Sequence, residues 1–142
     1  MALDDHDNHF IGAVTQKALI EHEGKILLVQ YPAETRPAWK WDLPGGRIHR
    51  GESALEGLKR EVREEIGAEI IPKEILATGV AAAGDGSELF FVIYRANLID
   101  PGQQLVPEQG EIGKIEWKDK TEFFMLPVIY PPYQEALKLF LM

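Results

Sequence analysis

Hydrophobic and polar positions along the 142-residue chain follow two different periods. Val14 to Ile20 and Ile26 to Tyr31 are alternating or wholly apolar runs, which predict two strands joined by a hairpin loop at Glu21-His22-Glu23-Gly24. Pro32 to Lys40 (PAETRPAWK) is a polar loop punctuated by prolines. From Ser53 to Ile66 the period becomes helical, with Leu55, Leu58, Val62 and Ile66 forming one apolar stripe that must face a core. Ser53 followed by Glu56 reads as a capping box, and Gly67 is the residue type favoured just past a helix end. Ile70 to Ala83 and Leu89 to Asn97 predict two longer strands around a Gly84-Asp85-Gly86 turn. Asp100 to Gly113 is a loop rich in Gly, Pro, Gln and Glu, and Ile115 to Lys118 is a short strand. Pro131-Pro132 opens a terminal helix with Ala136, Leu137, Phe140 and Leu141 on its buried side.

Strands alternating with helices, without repeats or low-complexity linkers, predict one α/β domain over residues 1–142. Hydrophobic residues make up 45% of the chain, ample for a core, and no apolar run approaches membrane-spanning length. The N-terminal MALDDHDNHF is acidic and unlike a signal peptide, so a cytoplasmic location is expected. Zero cysteines exclude disulfides and thiolate metal sites. A formal charge of −8 argues against binding long nucleic acid, which needs a basic footprint. It does not exclude nucleotides, because a bound divalent cation reverses the sign locally.

Acidic residues concentrate where the helical pattern begins. Glu61, Glu64 and Glu65 stand at i, i+3 and i+4, side by side on a helix, beside the apolar stripe. Like charges that close destabilise a helix unless a cation lies between them, and an all-oxygen carboxylate set suits Mg²⁺ or Mn²⁺. A lone acidic triplet of this kind is ordinarily a solvated face, so the surrounding residues decide. Gly57 falls on the same arc as Glu61, and a mid-helix glycine costs about 1 kcal/mol relative to alanine. Its presence predicts a group packed very close to the helix there.

Gly46, Glu52, Arg60, Glu61, Glu64, Glu65 and Gly67 recur with the spacing of the Nudix box, and the preceding Trp41-Asp42-Leu43-Pro44-Gly45-Gly46 also fits the approach to it. The chain thus resembles the Nudix (MutT-like) hydrolases; Ala68 departs from the larger apolar residue usual at the last box position. The resemblance implies an α/β/α sandwich, a mixed sheet held between the box helix and the C-terminal helix. It implies a metal site built from Glu61, Glu64 and Glu65, with the backbone carbonyl of Gly45 as a further ligand. A loop carboxylate often completes such sites; Glu111 is the candidate, Glu108 the close alternative, and either is equally a solvated loop charge. Among the box glutamates, which one acts as general base stays open between Glu61 and Glu64, and Arg60 is placed to orient a box carboxylate. Glu52, with Gly46 and Gly67, supports the loop and helix, and Arg47 is a candidate to reach a substrate phosphate, or equally a solvated arginine.

The implied reaction is metal-dependent hydrolysis of a phosphoanhydride in a nucleoside diphosphate joined to another group. A (d)NTP pyrophosphatase releasing a monophosphate and pyrophosphate fits best; nucleotide-sugar or ADP-ribose hydrolysis and a silent nucleotide-sensing module are the alternatives. The partner is a small nucleotide, and the resemblance is compatible with a homodimer. For a base-stacking platform the chain offers Tyr31, Trp39, Trp41, Phe90, Phe91 and Tyr94, of which Trp39 in the loop before the box is the choice. His6, His9, His22 and His49 lack metal-ligand spacing and read as surface residues.

Overall fold

The fold was analysed in a computed structural model that describes residues 8–35, 39–83 and 85–141. Three predicted features lie outside those residues in whole or part: His6, Gly84 of the predicted turn, and positions 36–38 of the loop before the box. The strands are β1 (Ala13–His22), β2 (Lys25–Gln30), β3 (Gly45–Arg47), β4 (Ile70–Ala82), β5 (Glu88–Leu98) and β6 (Lys114–Asp119). The helices are α1 (Ala54–Ile66), a short α2 (Lys120–Phe123) and α3 (Pro131–Leu141). The sheet runs β4-β5-β1-β2-β6, with β3 added on β1. It is mixed, because β1 runs parallel to β5 while its other pairings are antiparallel.

The hairpin is tighter than the sequence pattern predicts. Glu21 and His22 continue β1, and the turn shrinks to Glu23-Gly24, both at positive φ, the geometry that matches strand twist. Alternation then sorts the side chains to two faces. Leu19 and Leu28 point to a core with Leu43, Leu76, Phe91, Ile93, Tyr133 and Leu137, under α3. Ala18, Ile20, Leu27 and Val29 point to the other, with Leu58, Val62 and Ile66 of α1. The expected α/β/α sandwich is therefore observed.

Helix α1 starts where its caps predict. The Ser53 hydroxyl accepts from the Glu56 N–H, and Gly67 closes the helix in the left-handed conformation, its N–H donating to the Arg63 carbonyl. Only the Ser53 half of the capping box fits the prediction; Glu56 is exposed and lies 3.7 Å from Lys59. Leu55 is 45% exposed, because the first turn of α1 precedes the stretch that meets the sheet at Leu58. On α3 the buried positions are Tyr133 and Leu137, and Phe140 is 51% exposed near the end of the helix.

Segment 41–47 positions the site by splitting the sheet. Asp42 exchanges two backbone hydrogen bonds with Val29 of β2, while Gly45 to Arg47 pair with Lys17 to Thr15 of β1. The wedge separates β1 from β2 beyond their hairpin end, where they pair at Glu21–Ile26 and His22–Lys25. A fork opens between the strands, with the glycine pair at its edge.

Candidate active site

The site is assembled from the fork, the box helix and the loop after β5. Gly45 sits at φ +140, and a Cβ there would collide with the Gln16 carbonyl, so only glycine lets β3 lie against β1. Its N–H donates to Glu65 Oε1 at 2.6 Å. At Gly46 an added Cβ would stand 2.6 Å from the Glu61 carboxyl group, so α1 reaches directly over the glycine pair. The predicted close packing at Gly57 is also present: the group is Glu52, with Oε1 2.8 Å from where a Cβ would be.

The loop 100–113 is fastened to the C-terminus of α1. The Val106 N–H donates to the Ile66 carbonyl at 2.9 Å and the Glu108 N–H to the Glu65 carbonyl at 3.1 Å. These bonds satisfy carbonyls that a helix end leaves open. They also deliver Glu108 and Glu111 to the same cleft as Glu61 and Glu65. The cleft holds about 290 Å³, and its walls include Gly45, Gly46, Arg47, Lys17, Asp42, Tyr31 and Tyr130.

Its electrostatics are those of crowded carboxylates. Burial pushes Glu65 up to about 7, against the attraction of Lys17 and the Gly45 hydrogen bond. Glu108 is raised by desolvation and then by the charges of Glu64, Glu111 and Glu61, which places those three acids within repulsive reach of it. Arg60 offsets part of this. Its guanidinium forks onto Glu52 with two bonds of 2.9 Å, and also reaches Glu61 at 3.0 Å and Glu64 at 3.2 Å. The two Arg60 hydrogen bonds, with a third from the His49 N–H, hold Glu52 down to about 2. Burial, the largest single influence, would lower Lys17, but the combined attraction of Asp42, Tyr133 and Glu65, with the Asp42 hydrogen bond, outweighs it and keeps the ammonium well above its ordinary range.

The predicted residues divide accordingly. Glu61, Glu65, Glu108, Glu111, Gly45, Gly46 and Arg47 line the cleft. Glu64 stands beside it, with its side chain 47% exposed and paired to Arg60. Trp39 is 63% exposed and does not line the cleft; Trp41, Phe91 and Tyr94 are core residues. Tyr31 does line the cleft, and its hydroxyl donates to Asp42 at 2.8 Å. His9, His22 and His49 are exposed, as expected, with His49 Nε2 3.9 Å from Glu61.

The residues absent from the predicted site are Lys17 and Asp42. Lys17 is 3% exposed and Asp42 2%, and they form an ion pair of 3.0 Å on the cleft wall. Each is a charge set against apolar neighbours, Lys17 directly before Ala18-Leu19-Ile20 and Asp42 between Trp41 and Leu43. That was the available signal, since charges are almost never fully buried unless paired.

Among the described residues no three acidic or histidine side chains converge tightly enough, as they stand, to hold an ion. The donor chemistry nevertheless fits a hard divalent cation. Every acid at the cleft offers oxygen, Glu108 is repelled by Glu61, Glu64 and Glu111, and Arg60 already substitutes for a cation at Glu61 and Glu64. Glu61, Glu64, Glu65, Glu108 or Glu111 and the Gly45 carbonyl are the groups that can hold it.

Comparison with known proteins agrees with this architecture. The family model described as the NUDIX domain matches residues 13–140. An uncharacterized Nudix hydrolase of Bacillus subtilis, YvcI, is 32% identical over 114 residues, covering 78% of this chain and 68% of that protein. The CTP pyrophosphohydrolase of Escherichia coli is 44% identical over 61 residues, 43% of this chain, and the match spans 45% of that protein's length. The solution structure of the E. coli ORF135 protein superposes with a TM-score of 0.71 at 28% identity, covering 89% of each chain. With the box, the sandwich and these matches in place, the chain belongs to the Nudix hydrolase family.

Proposed function

We propose that the protein is a divalent-cation-dependent hydrolase of nucleoside triphosphates, releasing a (d)NMP and pyrophosphate. The observation that carries this reading is the gathering of box and loop carboxylates at one cleft, fastened to a glycine pair whose first N–H is held by Glu65. The similarity to a CTP pyrophosphohydrolase over 61 residues favours a triphosphate over the alternatives.

Cleaving a phosphoanhydride requires charge neutralisation on the phosphoryl oxygens and an activated water in line with the leaving group. Bound Mg²⁺ or Mn²⁺ supplies charge neutralisation and acidifies water. The chain's own residues do the rest. Arg47, exposed on β3 at the cleft, meets the substrate phosphates. Glu61 or Glu64 takes the proton from the attacking water, and Arg60 fixes both carboxylates in orientation. Glu52 anchors Arg60 from the opposite side and closes the box loop through the His49 N–H.

A panel of (d)NTPs, nucleotide sugars and ADP-ribose, incubated with Mg²⁺ or Mn²⁺ and resolved by chromatography, tests this. Monophosphate and pyrophosphate in equal amounts from a triphosphate are expected. Preferential cleavage of a nucleotide sugar or ADP-ribose would replace the substrate reading, and binding without turnover would replace the enzymatic one.

A further inference from the structure

Gly45 is held through both of its flanking peptide groups. Its N–H donates to Glu65 Oε1 at 2.6 Å, and its carbonyl faces the Lys17 ammonium at 3.4 Å. Lys17 is itself fixed, donating to Asp42 Oδ2 at 3.0 Å, while Asp42 also accepts from the Tyr31 hydroxyl at 2.8 Å and the Leu43 N–H at 2.8 Å. A buried ion pair is weak evidence for stability, because desolvation offsets the attraction. Its place here is informative. It lies in the fork that β3 opens between β1 and β2, on the wall of the cleft, with its ammonium turned to the carbonyl of the residue whose N–H α1 also grips.

We infer that Lys17, held by Asp42, is a positioning residue of the reaction: it orients the Gly45 carbonyl and thereby sets the affinity of the site for its cation. The inference rests on the proposed function, which assigns that carbonyl to the cation. Glu65 fixes the Pro44–Gly45 peptide and Lys17 the Gly45–Gly46 peptide, so the two planes that set the carbonyl direction are both held before any ligand arrives. Groups that orient ligands in this way typically change affinity or activity by about tenfold to a hundredfold when removed.

The test is Mn²⁺ binding by the full chain, measured by titration calorimetry alongside melting in metal-free buffer and steady-state kinetics. Lys17→Met/Asp42→Asn removes both charges together, and Asn keeps an acceptor for the Leu43 N–H. This variant should fold, bind Mn²⁺ about tenfold or more weakly, and lose kcat while KM for the nucleotide at saturating Mn²⁺ stays near wild type. A folded variant with Mn²⁺ affinity within about twofold of wild type would overturn the inference. The second arm uses the absence of cysteine in the chain. Lys17→Cys, unfolded, aminoethylated and refolded, regains a side chain of lysine's length and charge, and should regain wild-type Mn²⁺ affinity. Affinity no better than that of the unmodified Lys17→Cys protein, or a double variant that does not fold while the aminoethylated protein folds but binds Mn²⁺ weakly, would make the pair merely structural. The functional reading fails separately: wild-type protein that binds no Mn²⁺ would refute it, whereas wild type that binds and a double variant that binds equally would refute the positioning role alone.

Discussion

Replacing Glu65 with Gln should stabilise the metal-free protein, by an amount that depends on pH. Glu65 is 7% exposed, and burial pushes it from 4.5 to about 7 despite Lys17 and the Gly45 N–H. Below pH 4.5 the carboxyl is protonated in both the folded and the unfolded chain, and burial carries no ionic penalty. As pH rises from 4.5 towards 7 the unfolded chain loses its proton first, so unfolding gains and stability falls. Above 7 both states are ionised and the whole penalty remains. At 1.36 kcal/mol per pKa unit, the penalty is on the order of 3 kcal/mol. That is a large part of the roughly 5–15 kcal/mol that separates typical folded and unfolded states. Gln keeps the volume and an oxygen that can accept the Gly45 N–H, but has no charge to lose. Urea unfolding in EDTA, followed by tryptophan fluorescence at several pH values, should therefore show the two proteins converging near pH 4.5. At pH 8 the variant should be the more stable by about that amount. Parallel pH curves for the two, or a variant less stable at pH 8, would show that Glu65 is not an unneutralised buried carboxyl.

Other substitutions separate chemistry from support. Glu61→Gln and Glu64→Gln should each lower kcat by about a hundredfold or more. Glu56→Gln, on the exposed side of α1 beside Lys59, should leave kcat within severalfold in the same assay. Arg60→Lys should lower kcat about tenfold, since an ammonium cannot fork onto Glu52 while reaching Glu61 and Glu64. Glu111→Gln and Glu108→Gln, compared by Mn²⁺ titration, identify the loop ligand: the one whose affinity falls completes the site. Ser53→Ala should cost about 1 kcal/mol in urea unfolding, because the Glu56 N–H loses its cap.

The box helix was legible because its signals are local: a cap at Ser53, a stop at Gly67 and a helical stripe from Leu58 to Ile66. Gly57 predicted a close neighbour, and Glu52 is that neighbour. What escaped depends on pairings distant in sequence. β3 is three residues long and exists because β1 offers it an edge at Thr15 to Lys17. Lys17 and Asp42 stand 25 residues apart, and neither announces a partner until segment 41–47 wedges between β1 and β2. Leu55 and Phe140 fit the helical period yet lie where each helix runs past the sheet, since periodicity gives a face but not how far that face is covered. Trp39 illustrates the same limit, for its residue type invited a platform and the fold leaves it outside the cleft.

The central claim, hydrolysis that depends on a cation among the box carboxylates, is tested most directly by turnover of CTP and the other nucleoside triphosphates after dialysis against EDTA, before and after Mg²⁺ is restored. The stripped protein should release no pyrophosphate, and millimolar Mg²⁺ should restore equal yields of monophosphate and pyrophosphate. Undiminished turnover in EDTA, with the protein confirmed metal-free, would contradict it.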